Sequence, residues 1–526
     1  MKMFREIEAK LEVSPDAVLP DLTGLPGVAS IDPAHEHTLE AVYLDTPELR
    51  LAGAQTTLRR RTGGADAGWH LKLPVSADER IELRAPIEAA GDGSDAGAVR
   101  DDVPGELAAA VRARVRDGAL EPVVVLHTRR TVRRLRDRAG RVLAELADDE
   151  VTAREPAAGA LTLNDLTAGA VTATWREWEF ELVDGDRDLL AAAVRLLRRA
   201  DGAAPAHPSK LARALGDRLQ HAARTDDREP PAAGSAGAAL RDHLRAQRDR
   251  LIAVDPRVRR DEPDAVHQMR VCTRQLRSAL ATFRPLLAGG GREDLRAELR
   301  WLGELLGAAR DAEVARGLLA ELVAAEPAEA VIGPVAQRLD DDRARAYRMA
   351  HDQALVELDS PRYFRLLDAL DDLADAPALT TLAAGRPTDV LPARVRHDWR
   401  RLERAYRSAR KAPPGAHRDE HLHETRKAAK RVRYAAEAST PALGRPARSY
   451  ALAAKDLQTL LGDHHDCVEL RAVLLRVADE ARLAGEDTFT YGRLHALVQA
   501  RAERLEADLP RVWHPMSSRR RRRWLR

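Results

Sequence analysis

Near its start the chain carries a segment that alternates charged with apolar side chains, Glu-Ile-Glu-Ala-Lys-Leu-Glu over residues 6–12. Successive side chains of an extended strand leave on opposite faces, so Glu6, Glu8 and Lys10 share one face and apolar residues share the other. A charged strand face is ordinarily a solvated one. Here several later segments repeat the alternation with the complementary charge. The pattern predicts a closed barrel whose charged faces converge on a polar lumen.

The later segments place charged residues two apart in the same way. Arg59 and Arg61 share one face, as do His70 and Lys72, and glycines follow the arginines as they do in hairpins. Comparable stretches lie at residues 80–84, 123–135, 141–151 and 175–182, and a helical stretch at 188–199 precedes Ser209-Lys210. We expect helices to cover the apolar outer faces. The alternative is an open sheet with salt-bridge ladders exposed to solvent.

The charges assigned to the lumen predict its ligands. The glutamates would repel one another unless a hard cation lay between them, and ligation by oxygen alone favours Mg²⁺ or Mn²⁺. The basic residues need a polyanion in the same way, and metal together with polyanion indicates a phosphate chain. The predicted metal ligands from this argument are Glu6, Glu8, Glu177, Glu179 and Glu181. The predicted phosphate ligands are Lys10, Arg59, Arg61, Lys72, Arg80, Arg130 and Lys210.

These motifs, in this order, resemble the CYTH domain of the triphosphate tunnel metalloenzyme family. The resemblance rests on Glu6-x-Glu8-x-Lys10, Tyr-x-Asp-Thr at 43–46, Leu-Arg-x-Arg at 58–61, Leu71-Lys72, Arg80-x-Glu82, Glu-x-Glu-x-Glu-Leu at 177–182 and Ser209-Lys210. It implies a tunnel of about eight antiparallel strands and divalent-metal-dependent hydrolysis of triphosphates, with Glu6, Glu8 and Lys10 as the catalytic residues. It also implies a further metal ligand at Asp149. Asp148 remains an alternative to Asp149, and Arg129 to Arg130.

A change of composition divides the chain. Prolines and small residues around residues 225–237 indicate a linker, and beyond them apolar residues recur three and four apart, which is typical of helices. The predicted domains are 1–217, a linker at 218–236, a helical domain at 237–515 with repeats at about 237–380 and 385–515, and a tail at 516–526.

The helical half contains an internal repeat. His267, followed by bases three, seven and ten residues later, recurs 156 residues on at His423, and the Leu-Gly-x-x-Arg-Asp of 306–311 recurs after 155 residues as Leu-Gly-x-x-His-Asp. The repeat predicts two four-helix bundles related by a pseudo-twofold axis. The offsets place the four side chains along about 15 Å of one helix face, where like charges repel unless an anion binds. Pairing with acids of a neighbouring helix and plain solvent exposure are the alternatives. Asp311 and Asp466 either orient the bases or cap a helix.

This half resembles the CHAD domain over roughly residues 237–513, through Val-His-Gln-Met-Arg-Val at 266–271, Arg-x-x-Arg-Ser-Ala-Leu at 274–280 and Leu-Gly-x-x-Arg-Asp. The resemblance implies a basic groove between the bundles that binds inorganic polyphosphate. The residues expected to bind it are His267, Arg270, Arg274, Arg277, His423, Arg426, Lys430 and Arg433.

Several features concern partners and location. The arginine-rich tail is by default a disordered, solubilising end, and contact with polyphosphate, nucleic acid or anionic lipid is the alternative. Nucleic acid is expected to bind through this tail alone.

His464-His465 has no spaced carboxylate or thiol set in the sequence that would make a metal site. Two cysteines and the lack of an opening signal stretch or a membrane-length apolar run predict a cytoplasmic protein, associated with polyphosphate granules.

The residues thus predict a two-domain phosphohydrolase that cleaves inorganic triphosphate or a nucleoside or other related triphosphate with Mg²⁺ or Mn²⁺. Its helical domain is expected to bind polyphosphate and to localise the enzyme to it. The main alternative is a polyphosphate-binding scaffold or sensor without turnover, against which the stacked carboxylates argue. Nucleotide cyclisation is a third option.

Overall fold

A computed structural model of the chain describes residues 2–64, 66–75, 79–87, 103–156, 169–223 and 230–526. The chain divides into two compact units, Met1–Asp227 and Arg228–Arg526. Among the helices in these described ranges, none has both the length and the hydrophobicity needed to cross a bilayer.

The first unit is a closed antiparallel barrel of eight strands. The strands run in the order β7-β3-β4-β5-β6-β1-β9-β8, pairing of β8 with β7 closes the barrel, and the short β2 adds to β7 at the side. Their bounds are β1 Lys2–Val13, β2 Ser30–Ile31, β3 His35–Asp45, β4 Thr57–Thr62, β5 Gly68–Pro74, β6 Glu79–Ala85, β7 Glu121–Arg136, β8 Val142–Arg154 and β9 Val171–Leu182. The predicted barrel is therefore confirmed.

Strand β1 joins two parts of the barrel. Its first half, Lys2 to Ile7, pairs with β6, and its second half, Glu8 to Val13, pairs with β9. This pairing brings together two metal-ligand candidates that are distant in sequence, because Glu8 lies opposite Glu181 in this register. The charged side chains of β1 thus lie beside those of β6 and β9, although both strands are far from β1 in sequence.

Helices pack on the apolar outer faces of the strands. In the first unit they are α1 Arg50–Gly53, α2 Gly105–Val115, α3 Arg187–Ala200, α4 Lys210–Leu215 and α5 Asp217–Ala223. Leu189 and Leu197 of α3 bury Trp178 and Phe180 of β9 in one core cluster. In another cluster, residues of α2 pack against apolar side chains of β4, β5 and β6. With one face of each strand committed to these cores, the charged face is left to the lumen.

The second unit is helical. Within residues 230–526 its α-helices are α6 Ala236–Arg259, α7 Ala265–Thr282, α8 Arg292–Ala324, α9 Val335–Leu358, α10 Pro361–Asp375, α11 Pro387–Lys411, α12 Ala416–Leu443, α13 Arg445–Leu483 and α14 Phe489–Ser517. Helices α6–α10 pack as one bundle and α11–α14 as a second. The first bundle has one helix more than the sequence predicted. This helix, α10, begins after an N-cap at Ser360 and buries Tyr363, Leu366 and Leu370 while packing against α6.

The repeated motifs lie on equivalent helices. The stripes beginning at His267 and His423 lie on α7 and α12, which contact each other, and the two Leu-Gly segments lie on α8 and α13. The two charged stripes therefore meet where the bundles join.

The arginine-rich tail is not the disordered end that the sequence predicted by default. Leu525 is buried in the core of the second bundle and Trp524 packs against the same core. The guanidinium of Arg522 lies 4.6 Å from the ring centroid of Trp399 in α11. An aromatic residue and a leucine between the arginines thus anchor the tail, because they bury apolar surface against α11.

Candidate functional site

The barrel lumen collects most of the residues predicted to bind metal and phosphate. One cavity is lined by side chains from β1, β3, β4, β5, β6, β7, β9 and α4. The predicted residues among its lining are Glu6, Glu8, Lys10, Arg59, Arg61, Lys72, Arg80, Arg130, Glu179, Glu181 and Lys210. Residues that the sequence argument did not select are Tyr43, Asp66, Glu82, Arg84 and Ser209.

One side of this cavity has an excess of carboxylates. Glu6, Glu8 and Glu181 meet where β1 pairs with β9. Burial raises the pKa of Glu181 to about 7, and repulsion from Glu6 and Glu8 adds to the rise despite Lys72. Burial also raises the pKa of Glu6, although its carboxylate lies 2.7 Å from Lys72 Nζ. The pKa of Glu8, in contrast, is lowered by Lys10, Lys72 and Arg80, which together outweigh its burial. The raised pKa values of Glu6 and Glu181 mean that the nearby lysines do not offset their burial and repulsion, so a cation would be bound favourably here.

Another part of the cavity has an excess of guanidinium groups. Burial, followed by repulsion from Arg59 and Arg130, lowers the pKa of Arg61 to about 9 even though Arg61 pairs with Asp66. Arg59 donates a hydrogen bond of 3.0 Å to the hydroxyl of Tyr43. Burial would raise the pKa of Tyr43, but the charge and hydrogen bond of Arg59 together with the charges of Lys210 and Lys10 outweigh it, and the pKa is lowered. A cationic group whose protonated form is disfavoured provides a site for an anion.

The remaining acids are balanced by a lysine of the protein. Lys210 Nζ lies 2.9 Å from Asp149, 2.6 Å from Glu177 and 2.6 Å from Glu179. Arg130 completes the cluster through Asp149 at 2.6 Å and Glu179 at 2.5 Å. Asp149 and Glu177 do not line the lumen cavity. An ammonium group thus lies among three buried carboxylates, each of which also offers an oxygen within 4.8 Å of the other two, close enough to hold a metal ion. The metal-ligand role of Asp149 and Glu177 stays a prediction.

The structure places the two pairs of residues that the sequence left open. Arg130 and Asp149 pair with each other toward the lumen, whereas Arg129 pairs with Glu150 on the exposed face. Asp148 instead pairs with Arg176 at 2.7 Å. The strand alternation sends neighbouring residues to opposite faces, which explains the separation.

Glu82 and Arg84 are lumen residues that the prediction left out. Nδ1 of His70 lies 2.9 Å from Glu82 Oε1, and Glu82 also pairs with Arg84. Burial opposes ionisation of Glu82, but the hydrogen bond with His70 and the charge of Lys72 hold its pKa well below the usual range. Both residues share the face of Arg80 in the sequence, so the period-two pattern contained the signal that would have found them.

The second unit contains a basic groove of about 610 Å³. Eight basic side chains line it, together with only two carboxylates, from Glu304 and Glu424. The basic residues are Arg274, Arg277, Arg296, Arg300, Arg401, Lys427, Lys430 and Arg431. Such a surplus of positive charge in a concave surface favours a polyanionic ligand.

Lys430 is the most strongly perturbed cation of this groove. Burial, followed by repulsion from Arg426, Arg274 and Arg270, lowers its pKa to about 6. The acids of the repeat pair instead with the neighbouring arginines, Asp311 with Arg270 at 2.8 Å and Asp466 with Arg426 at 4.0 Å. These two aspartates therefore lie beside the bases, as the orienting role requires.

The Leu-Gly element of the repeat has a packing explanation. A Cβ at Gly307 would lie 3.3 Å from Arg270 Nη2, and a Cβ at Gly462 would lie 3.7 Å from Arg426 Nη2. Glycine on α8 therefore lets Arg270 lie close against this helix, whereas a Cβ at Gly462 would make an ordinary van der Waals contact with Arg426. The two bundles repeat the placement of an arginine beside a glycine.

The eight residues predicted from the stripes are not all in the groove lining. Arg274, Arg277 and Lys430 line it, whereas His267, Arg270, His423 and Arg426 belong to the neighbouring cluster. Nδ1 of His423 lies 3.2 Å from Nδ1 of His465. Arg433 is directed instead to Glu437, at 2.7 Å. The basic residues of α8 and α11 were missed because they lie outside the repeated motif.

Comparisons with known proteins agree with the two-unit division. The CYTH domain model matches residues 5–215 and the CHAD domain model matches residues 242–475. The uncharacterized protein Rv2226 of Mycobacterium tuberculosis (strain ATCC 25618 / H37Rv) is 41% identical over 521 residues, covering 96% of this chain and 96% of that protein.

Two solved structures are also similar. PptA from Streptomyces chartreusis is 24% identical, with a TM-score of 0.45, and the match covers 53% of this chain and 99% of that chain. The CHAD domain from the plant Ricinus communis is 26% identical, with a TM-score of 0.44, covering 55% of this chain and 93% of that chain.

The barrel with its charged lumen is thus the metal-dependent CYTH type of the triphosphate tunnel metalloenzymes, and the helical unit with its basic groove is of the CHAD type. The chain belongs to the family of proteins in which a CYTH domain is followed by a CHAD domain.

Proposed function

We propose that the barrel hydrolyses inorganic triphosphate or a related triphosphate, and that the helical unit binds inorganic polyphosphate. The observation that carries the first part is the separation of charge within one lumen. Glu6 and Glu181 are carboxylates whose pKa is raised, and Arg61 is a guanidinium whose pKa is lowered. A divalent cation and a phosphate chain together would satisfy both.

The donor set at the carboxylate side fits Mg²⁺ or Mn²⁺. Glu6, Glu8 and Glu181 offer oxygen ligands only, and the raised pKa of Glu181 reflects burial together with repulsion, which a bound cation would relieve. Glu179 would act from the edge of this set, since Lys10 and Lys210 already approach it at 2.6 Å. When bound, the ion supplies charge stabilisation at the phosphoryl group and at the attacking water.

The protein's own residues account for the binding of substrate. Arg59, Arg61 and Arg130 present planar donor groups that match phosphate oxygens in pairs, and Arg59 is held in place by the Tyr43 hydroxyl. Lys10 and Lys72 carry compact charges beside the carboxylates, where they neutralise the phosphate nearest the metal ligands. Burial of lumen side chains such as Glu6 and Arg61 strengthens these interactions.

The second part of the proposal rests on the basic groove. Its eight cations face only two carboxylates, and a row of phosphates would remove the repulsion that lowers the pKa of Lys430. A linear polyphosphate carries one charge or more per repeating unit and can contact several of these residues at once. We expect such binding to weaken strongly with salt, as polyanion binding does. The groove thereby localises the enzyme to polyphosphate.

Phosphate release from tripolyphosphate tests the enzymatic part. The wild-type chain is compared, with Mg²⁺, with Mn²⁺ and after chelation, with the double variant Glu6→Gln/Glu8→Gln. The expected loss is at least about 1,000-fold, which corresponds to about 4 kcal/mol of transition-state stabilisation. Glu150→Gln, on the exposed face of the barrel, is the matched control and keeps full activity. Equal turnover in wild type and double variant would leave only the binding scaffold.

A further inference from the structure

Three helices of the second bundle bring one histidine and two carboxylates together outside the groove. Asp419 lies in the first turn of α12, His464 in the middle of α13 and Glu506 on α14. His464 is 2% exposed, while the two acids are partly buried. One ligand atom from each residue lies within 4.8 Å of the other two. The two carboxylates are distant from His464-His465 in sequence, which is why the sequence indicated no metal set there.

His464 approaches both acids through the same ring nitrogen. Nε2 of His464 lies 3.3 Å from Glu506 Oε1 and 3.5 Å from Asp419 Oδ1. Good N–H···O hydrogen bonds are about 2.7–3.2 Å long, and one Nε2–H cannot point well at two carboxylates. Ligands at about 2.0–2.2 Å from a tetrahedral Zn²⁺ are about 3.3–3.5 Å from one another. The imidazole thus makes one long hydrogen bond, with Glu506, and lies near Asp419 at a distance that also suits ligands of one ion.

Arg418, which is not one of the three residues, fixes the orientation of Glu506. Arg418 Nη1 lies 3.3 Å from the second oxygen of Glu506, and its other nitrogens donate to the carbonyl of Ala412 at 2.7 and 3.1 Å. Fixing the outer oxygen leaves Glu506 Oε1 turned toward His464. Outer partners of this kind commonly orient the ligands of metal sites.

The first bundle provides an internal comparison. At the displacements that relate the two repeats, the positions of Asp419 and His464 are occupied by Pro263 and Ala309. Ala309 is fully buried, so the equivalent place in the first bundle is filled by apolar packing. The helical repeat therefore folds without a histidine there, and the trio is a feature added to the second bundle.

We propose that Asp419, His464 and Glu506 form a binding site for a divalent transition-metal ion, with Zn²⁺ as the best-fitting ion. One imidazole and two carboxylates suit Zn²⁺ in preference to Mg²⁺, which favours oxygen ligands alone. The bound ion joins α12, α13 and α14. Because the next residue, His465, contacts His423 in the basic cluster, the ion also fixes the segment of α13 that borders this cluster.

Zn²⁺ titration of the tag-free, chelator-treated full chain tests the site by calorimetry. The Glu6→Gln/Glu8→Gln background removes the proposed barrel site, so this test does not depend on the proposed enzymatic function. In this background we expect one Zn²⁺ per chain. Adding Asp419→Asn or His464→Gln should weaken binding about 100-fold. Glu503→Gln, an exposed residue one turn before Glu506, is the matched control and should leave the affinity unchanged.

A second readout separates loss of binding from loss of folding. Zn²⁺ is expected to raise the melting temperature of the background protein but not of the Asp419→Asn protein, whose own melting temperature without metal reports its folding. Co²⁺ in place of Zn²⁺ should give the visible absorption bands of a tetrahedral site. Unchanged Zn²⁺ affinity in folded Asp419→Asn protein, or no binding in the micromolar range by the background protein, would overturn the proposal in favour of a histidine that contacts the two acids without a metal ion.

Discussion

The ammonium group of Lys210 lies 2.6 Å from Glu179 Oε1, at the centre of the acidic cluster that contains Asp149 and Glu177. The sequence treated all the lumen glutamates as equivalent metal ligands. The structure separates them. Lys210 lies among Asp149, Glu177 and Glu179, whereas the pKa of Glu6 and of Glu181 is raised even though Lys72 pairs with Glu6. This difference leads to the first prediction.

Replacing Lys210 by Met should destabilise the barrel. Three buried carboxylates would lose the cation that they share, and breaking a buried ion pair typically costs about 3–5 kcal/mol. Urea unfolding of Lys210→Met against wild type measures the loss. Arg129→Met, which breaks an exposed pair with Glu150, should cost less than about 1 kcal/mol. Equal costs for the two variants would contradict the role given to Lys210.

Metal affinity of the barrel should depend on pH through Glu181. Its pKa is raised to about 7 in the folded chain, so the carboxylate is largely protonated below that value and a cation must displace the proton. Mg²⁺ or Mn²⁺ affinity is therefore expected to rise between pH 6 and pH 8. Glu181→Gln should bind more weakly and show a flatter pH profile. Calorimetry in buffers with different ionisation enthalpies should detect the released proton in wild type alone.

The same shift has a consequence for stability without metal. A carboxyl whose folded pKa is raised binds its proton more tightly when folded, so this contribution is present at low pH and is lost as pH rises from about 4.5 to about 7. Metal-free wild-type protein should lose this contribution across that window, whereas Glu181→Gln should not. Denaturant midpoints at several pH values, compared between the two proteins, measure the difference. Parallel pH dependences would contradict it.

Tyr43 should position Arg59 for phosphate binding. Tyr43→Phe removes the acceptor of a 3.0 Å hydrogen bond but keeps the buried ring. One such bond is worth about 0.5–1.5 kcal/mol, so we expect KM for triphosphate to rise about 3- to 10-fold with a smaller change in kcat. Steady-state kinetics checks this split. A loss confined to kcat would indicate a different role for the hydroxyl.

Polyphosphate binding to the helical unit should take up a proton at Lys430. Its pKa is about 6 in the free protein, so the side chain is mainly neutral at pH 8, and adjacent phosphate favours its charged form. Affinity should fall as pH rises from 6 to 8. Lys430→Arg, which keeps its charge, should show a smaller fall. Binding of polyphosphate to immobilised protein at fixed salt measures both. The same slope in wild type and variant would exclude Lys430 as the linked group.

The sequence indicated which side chains of each strand face the lumen, but not which charged partner each of them meets there. Period-two alternation needs only local geometry, so it selected Glu6, Arg59 and Arg130 for the lumen, where the structure places them. Whether an acid there meets a metal or a lysine depends on register across the barrel. The approach of Lys210 from α4 to Asp149 and Glu177 could not be deduced from any one segment.

The helical half shows the same limit. The last base of each stripe lies ten residues after the histidine, which turns its side chain about 80° around the helix axis. Its ion-pair partner therefore depends on the residues next to it on its own helix. Arg433 has Glu437 one turn later and pairs with it, whereas Arg277 has Ala281 at that place and lines the groove. The tail prediction failed because Trp524 and Leu525 were outweighed by the arginines beside them, although their apolar surface determines the packing.

Anomalous diffraction from crystals soaked with Mn²⁺ and a non-hydrolysable triphosphate analogue tests the central claim most directly. The account predicts an anomalous peak at Glu6, Glu8 and Glu181, with the phosphates extending toward Arg59 and Arg61 and with Lys210 still among Asp149, Glu177 and Glu179. A peak at Asp149, Glu177 and Glu179 with Lys210 displaced, or no peak in the lumen, would contradict it.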